Sequence, residues 1–236
     1  MADLVYPPVI RAALVSFKAL GMTIDIDGLE NVPATGGAVV ASNHVSYLDF
    51  IFAGLAPWKA QRRLTRFMAK DAVFRHRVSG PLMRGMHHIP VDRDAGSSSM
   101  RAALRALSGG ELVGLFPEAT ISRSFTVKEL KSGTVRMAAA ARVPILPTVV
   151  WGGQRMFGKG HPRSFARGRT ITISVGEPIS VTTRDDMAAA TEQLRTTLQA
   201  LLDGAQGLQR RAQLLGGRGH VVPGRHRDGL ADRDRD

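Results

Sequence analysis

The sequence predicts an α/β domain in which a mostly parallel central sheet is flanked by helices. Two observations carry that expectation. Short, almost wholly apolar runs recur, among them 38–42 (AVVAS), 112–116 (LVGLF) and 143–151, and they suit strands buried inside a sheet. Longer segments with helical apolar spacing lie between them, and strands alternating with helices read as a parallel architecture. A chain of 236 residues suffices for one such domain burying roughly 70–75% of its unfolded surface.

In chain order, Pro7 to Leu20 opens with two prolines, favourable at a helix start, and repeats Val9, Ile10, Ala13, Leu14, Phe17 and Leu20 at helical spacing. It reads as an amphipathic helix, either packed on the domain or anchored in a membrane interface. A short strand follows near Thr23–Ile26, then the AVVAS strand, leading straight into Asn43-His44. Ser46 through Gly54 reads as a helix start with Ser46 as N-cap. His88–Val91 is a further short strand. Ser97–Leu107 is a helix stopped by Gly109-Gly110, Leu112–Phe116 a buried strand, and Ser132–Ala141 a helix. Val143–Trp151 and the alternating Thr170–Val175 are strands, and Met187–Leu202 is the last clear helix. The expected organisation is therefore an N-terminal helical segment (1–22), a main domain (23–203) and a mobile basic tail (204–236), within which Leu208–Leu215 also reads as one or two helical turns.

Lys plus Arg total 32 against 20 for Asp plus Glu, a formal charge of +12 that draws a protein toward polyanions. Lys59, Arg62, Arg63, Arg66, Lys70, Arg75, Arg77 and Arg84 share their stretch with a single acid, Asp71. Such a stretch suits an anionic membrane surface, the phosphates of coenzyme A, or a plain solvated face, and Trp58 and Phe67 within it favour the membrane. The tail carries seven Arg and four Asp. There is no cysteine, which excludes disulfides, cysteine metal sites and cysteine nucleophiles. No run of about 18–20 apolar residues and no secretory signal are seen, so if the protein works on lipids it is expected to sit on the membrane rather than cross it.

The chemistry concentrates at strand ends. Asn43-His44-Val45-Ser46-Tyr47-Leu48-Asp49 puts a histidine after a strand and a carboxylate five residues on, in the first turn of a helix. A carboxylate on one imidazole nitrogen fixes the tautomer and leaves the other free to take a proton from a hydroxyl. Ser46-x-x-Asp49 equally reads as a helix-capping pair. Phe116-Pro117-Glu118-Ala119-Thr120 ends another apolar strand, and ligands of open α/β sheets bind beyond the carboxyl ends of strands. Glu118 alone also fits a solvated loop acid. Arg93 offers a planar fork for phosphate, or an ordinary surface ion pair. The remaining histidines (His76, His87, His88, His161, His220, His226) read as structural, and no metal site is indicated.

Taken together and in order, Asn43-His44-x4-Asp49, Arg93, Phe116-Pro117-Glu118-x-Thr120 and Val143-Pro144-Ile145-Leu146-Pro147 strongly resemble the four sequence blocks of the PlsC-like glycerophospholipid acyltransferases. The resemblance covers about residues 20 to 200, and FPEATISRSF looks most like actinobacterial members. Lys131-Ser132-Gly133 is similar to the family's basic-glycine segment. The resemblance implies His44 as base and Asp49 as its orienting partner. It implies acceptor binding by Arg93, Glu118 and Thr120, with Asn43, Lys70, Lys131 and Arg123 as further substrate-binding candidates. The block at Pro144 and Pro147 would shape the acyl or coenzyme side. Two departures stand out: Ala119 replaces the family's usual glycine, where its methyl would narrow the acceptor pocket, and Ile121-Ser122 intervene before Arg123, where the family's arginine follows the threonine directly.

The implied reaction moves a fatty acyl group from acyl-CoA, or an acyl carrier protein thioester, to a hydroxyl of lysophosphatidic acid, without a cofactor or metal. Glycerol-3-phosphate or a glycolipid is the alternative acceptor. The implied location is cytoplasmic, peripheral on the inner face of the cell membrane. Backbone amides near the helix after His44 are candidate oxyanion donors. A lipid or thioester hydrolase is the rival enzyme, although no G-x-S-x-G elbow is present. A nucleic-acid binder would account for the charge, but six percent aromatics and no reader motif argue against specific nucleic-acid binding.

Overall fold

A computed structural model of the chain describes residues 3–92, 96–122, 126–156 and 167–215. Its sheet contains β1 (Thr23–Asp27), β2 (Ala38–Ser42), β3 (Thr65–Lys70), β4 (Ile89–Val91), β5 (Leu112–Leu115), β6 (Ile145–Trp151) and β7 (Thr170–Val175). The strand order is β1-β7-β6-β2-β5-β3-β4. From β6 to β4 all neighbours are parallel, whereas β7 pairs antiparallel with β6 and carries β1 parallel to itself. The helices are α1 (Tyr6–Ala19), α2 (Asp49–Gln61), α3 (Asp71–Arg75), α4 (Ser79–Gly85), α5 (Gly96–Ser108), α6 (Gly133–Ala141) and α7 (Met187–Leu215). The chain is thus an α/β domain with a mostly parallel sheet, as the alternation of patterns predicts.

The almost wholly apolar β2 lies mid-sheet with every residue buried. Its side chains alternate between two cores, as a pleated strand requires. Ala38 and Val40 join α1, α2 and the α3–α4 segment; Val39 and Ala41 join α5, α6 and α7. α1 buries Tyr6, Ile10 and Phe17, so this helix packs on the domain.

One strand escaped the sequence pattern. β3 lies inside the basic stretch, with Arg66 at a buried position where an apolar residue is the usual signal. Arg66 is tolerated because Asp3 (2.8 Å) and Glu111 (2.9 Å) neutralise it and Met86 O accepts from it. Phe67 beside it fits only because its cross-strand partner is Gly114: a Cβ there would lie 2.5 Å from the Phe67 ring. Trp58 and Phe67 are both buried, so neither is the interfacial aromatic that the sequence suggests.

The last helix runs past Leu202 to Leu215, through Gly204 and Gly207. Leu194, Leu198, Leu202 and Ala205 stay buried at helical spacing, and Gln209 donates to the carbonyl of Thr170 at 2.8 Å. Packing of that stripe outweighs glycine's poor propensity. The start of the expected tail is therefore helix, and the rest of it lies outside the described residues. Among the described residues, no helix is long and apolar enough to cross a membrane.

Candidate active site

Because β2, β5, β3 and β4 are parallel neighbours, their carboxyl ends share one edge of the sheet. His44 follows β2, Glu118 follows β5, Lys70 ends β3 and Asp92 follows β4. Three of the residues singled out from distant parts of the sequence, His44, Glu118 and Lys70, thus lie along one edge of the sheet by topology alone.

The loop after β2 folds back on itself. His44 Nδ1 lies 3.0 Å from Asp49 Oδ2, and the same oxygen accepts the amides of Val45 (2.6 Å) and Ser46 (2.7 Å). Asp49 is fully buried, whereas the His44 side chain keeps 20% of its exposure. An acceptor-only carboxylate on Nδ1 requires that nitrogen to carry the proton, which leaves Nε2 with a lone pair. Burial pushes the Asp49 carboxyl above the ordinary carboxylate range, while the bond from His44 and the two amides pull it back.

Asp49, not Ser46, opens the helix. Ser46 gives its hydroxyl to the carbonyl of Met156 (2.5 Å) and accepts the amide of Leu48 (3.1 Å). It therefore binds the loop after β6 to the loop after β2 instead of capping α2. The amides of Val45 and Ser46 are occupied by Asp49, and that of His44 by Glu118, so none of these three is free for an oxyanion. Tyr47 has the remaining amide of this loop with no acceptor among the described residues.

Glu118 is neither a solvated acid nor aimed at open solvent. It is buried, with Oε1 accepting the amide of His44 (3.0 Å) and Oε2 that of Lys128 (3.4 Å). Burial raises its pKa, opposed by those two amides. Asn43 is also committed: its amide nitrogen donates to Val150 O (3.1 Å) and its oxygen accepts Val150 N (2.8 Å). It extends the β2–β6 ladder by one side-chain rung.

Phe116 stacks on the imidazole, with centroids 4.1 Å apart and planes at 14°. Ala119 sits at φ 55°, a left-handed conformation in which a Cβ is strained. This explains glycine's fitness there: the turn from Phe116 to Ala119, closed by a 3.0 Å bond, demands it. Ala119 and Thr120 are exposed, as are Lys70 and Lys131. The backbone of Lys131 is tied to the carbonyl of Pro117 at 2.9 Å. Arg93 and Arg123 lie outside the described residues.

Sequence reasoning missed the floor of the site. A short 3-10 helix, Gly153–Arg155, follows β6. A Cβ on Gly153 would stand 3.2 Å from Asp49 Oδ1 and 3.6 Å from the Ser46 Cβ. Only the paired glycines 152–153 hinted at such a close approach. Among the described residues, no cluster suited to a metal ion is present.

The family model described as Acyltransferase matches residues 23–151. The 1-acyl-sn-glycerol-3-phosphate acyltransferase of Bacillus subtilis is 30% identical over 182 residues, 73% of this chain and 84% of that protein. The protein of the same name from Limnanthes douglasii is 33% identical over 165 residues, 68% of this chain and 56% of that protein. In fold, the crystal structure of the 1-acyl-sn-glycerophosphate acyltransferase PlsC from Thermotoga maritima is similar, with a TM-score of 0.67 at 19% identity over 86% of this chain and 79% of that one. By the span of the family model and the identity shared along its length, this chain belongs to the Acyltransferase family.

Proposed function

We propose that the protein transfers an acyl group from a thioester donor to the free hydroxyl of 1-acyl-glycerol-3-phosphate, a step of phospholipid synthesis, with His44 as general base. The observation that carries this is the His44–Asp49 pair: a buried carboxylate on Nδ1, and Nε2 uncommitted at the carboxyl edge of the sheet. The acceptor follows from the printed names of the relatives.

His44 Nε2 takes the proton of the acceptor hydroxyl as its oxygen attacks the thioester carbonyl. The tetrahedral oxyanion collapses, the carbon–sulfur bond breaks, and the thiolate leaves with the proton from the imidazolium. Asp49 stabilises that imidazolium, and base catalysis of this kind contributes about 10²–10⁴ in rate. Because the thioester is already activated, no serine or cysteine acyl intermediate is needed.

Asn43 and Glu118 act as positioning residues rather than acceptor ligands. The first pins the end of β2 to β6; the second holds the backbone of His44 against the loop after β5. A buried carboxylate with both oxygens on amides is also poorly suited to a phosphate. Arg93 and Arg123 are the proposed phosphate ligands, assisted by Lys70, Lys131 and Thr120, and the donor is acyl-CoA or an acyl carrier protein thioester. In this reading the enzyme meets its amphiphilic substrate peripherally, at the cytoplasmic membrane face.

The test is thiol release from palmitoyl-CoA with lysophosphatidic acid or glycerol-3-phosphate, comparing wild type with His44→Ala. Release that depends on lysophosphatidic acid and is lost by at least 10²-fold in the variant is expected. Undiminished release in the variant removes His44 as the base.

A further inference from the structure

We propose that the α3–α4 hairpin is the surface that seats this protein on an anionic lipid bilayer, with the site mouth turned toward the membrane. The link to substrate delivery rests on the acyl-transfer reading; the surface itself does not.

The basic stretch divides sharply once folded. Arg63 donates to the carbonyls of Pro33 (2.7 Å), Gly36 and Gly110 (2.6 Å), Arg66 is the buried cation between Asp3 and Glu111, and Arg84 donates to Phe74 O (2.6 Å). These three arginines hold the fold together. Arg75 and Arg77 instead point outward on the hairpin, Arg75 with 78% of its side chain exposed. The hairpin's single acid, Asp71, is paired with Arg75.

Interleaved with these cations are apolar side chains that face water: Val73 at 37%, Val78 at 71% and Leu82 at 43% exposure. They are not exposed through loose packing. Phe74 and Met83 are buried beneath them, and Gly80 lies so close to the Phe74 carbonyl that a Cβ would stand 2.2 Å from it. A rigid hairpin that presents valine and leucine among arginines has the composition of an interfacial element: the apolar tips enter the headgroup boundary and the cations meet lipid phosphates. A protein partner would find two short helices, and its own acids would have to supply the charge that an anionic bilayer offers everywhere.

Position supports the same occupant. α3 starts at the residue after β3, whose carboxyl end is two strands from that of β2. At about 4.8 Å per strand, the hairpin begins roughly 10 Å along the sheet edge from the strand that ends at His44. Tyr47, on the loop between His44 and Asp49, is 52% exposed, and its amphipathic ring suits the headgroup level. An acceptor with its phosphate and hydroxyl at the sheet edge would keep its acyl chain in the bilayer.

The experiment is co-sedimentation of the full chain with phosphatidylcholine vesicles, with or without phosphatidylglycerol. Wild type is expected to partition onto the anionic vesicles and hardly onto the neutral ones. Arg75→Gln/Arg77→Gln should bind about 30-fold more weakly, the conversion of about 1 kcal/mol per basic residue. Val78→Asp/Leu82→Asp should lose at least tenfold, while Val15→Asp on the outer face of α1 should bind like wild type. Hairpin variants that bind normally, binding lost through Val15→Asp instead, or equal binding to neutral vesicles would each overturn the proposal. Because vesicle binding is read without turnover, His44→Ala should bind normally, which separates this proposal from the reaction.

Discussion

Asp49→Asn isolates the charge of the site from its geometry. Asp49 Oδ2 accepts from His44 Nδ1, Val45 N and Ser46 N at 3.0, 2.6 and 2.7 Å, and Oδ1 is buried with no partner among the described residues. An asparagine oxygen can take over the first position with all three bonds, and its NH₂ the second, so the loop and the His44 tautomer survive. What disappears is the negative charge opposing the imidazolium at 3.0 Å, an interaction of about 5 kcal/mol at an effective dielectric of about 20. Desolvation offsets part of that, and the expected fall in kcat is about 10²–10³ with KM little changed. Stability should change little. Burial raises the Asp49 pKa, so its ionised form costs folding free energy at neutral pH, and the neutral isostere removes that cost, while its NH₂, with no partner among the described residues at the Oδ1 position, adds back about 1–3 kcal/mol. Acceptor-dependent thiol release and thermal melting would check both. A kcat within threefold of wild type, in a folded variant, would refute the claim that the carboxylate stabilises the charged histidine.

Two further outcomes follow from the site and its support. Gly153→Ala should press on Asp49 Oδ1, whose contact with the new Cβ would start at 3.2 Å; a shift of a few tenths of an ångström should lower kcat about tenfold at a stability cost of about 1–3 kcal/mol, and an unchanged kcat would sink that placement. His88 is buried among the rings of Tyr6, Phe50 and Phe67, and burial first, then Arg66 and His87, lowers its pKa to about 3. The unfolded chain takes up this proton below about pH 6.5 and the folded chain does not, so stability is complete above pH 6.5 and declines as pH falls, by about 2 kcal/mol from 6.5 to 5. His88→Asn, which can still accept the amide of Phe67 that His88 Nδ1 accepts at 3.0 Å, should flatten that slope in urea titrations at the two pH values, although the smaller side chain lowers stability at both.

The alternation of strands and helices was legible in the sequence, because apolar runs and helical stripes are local patterns. So was the pairing of His44 with Asp49, which are five residues apart and closed by a single turn. β3 was not legible: Arg66 reads as surface charge until Asp3 and Glu111 are seen to neutralise it from 63 and 45 residues away. α7 exceeded its expected length because the burial of Ala205 and the bond from Gln209 to Thr170 are tertiary facts that glycine propensity does not contain. Asn43 and Glu118 stand out in the sequence at two strand ends, but their hydrogen bonds were not legible, since these run to backbone groups of Val150, His44 and Lys128. Gly153 is the extreme case. The glycine pair says that something approaches the backbone but not what, and only the side-by-side parallel register of β2 and β6 brings Gly153 against the carboxylate that bonds His44.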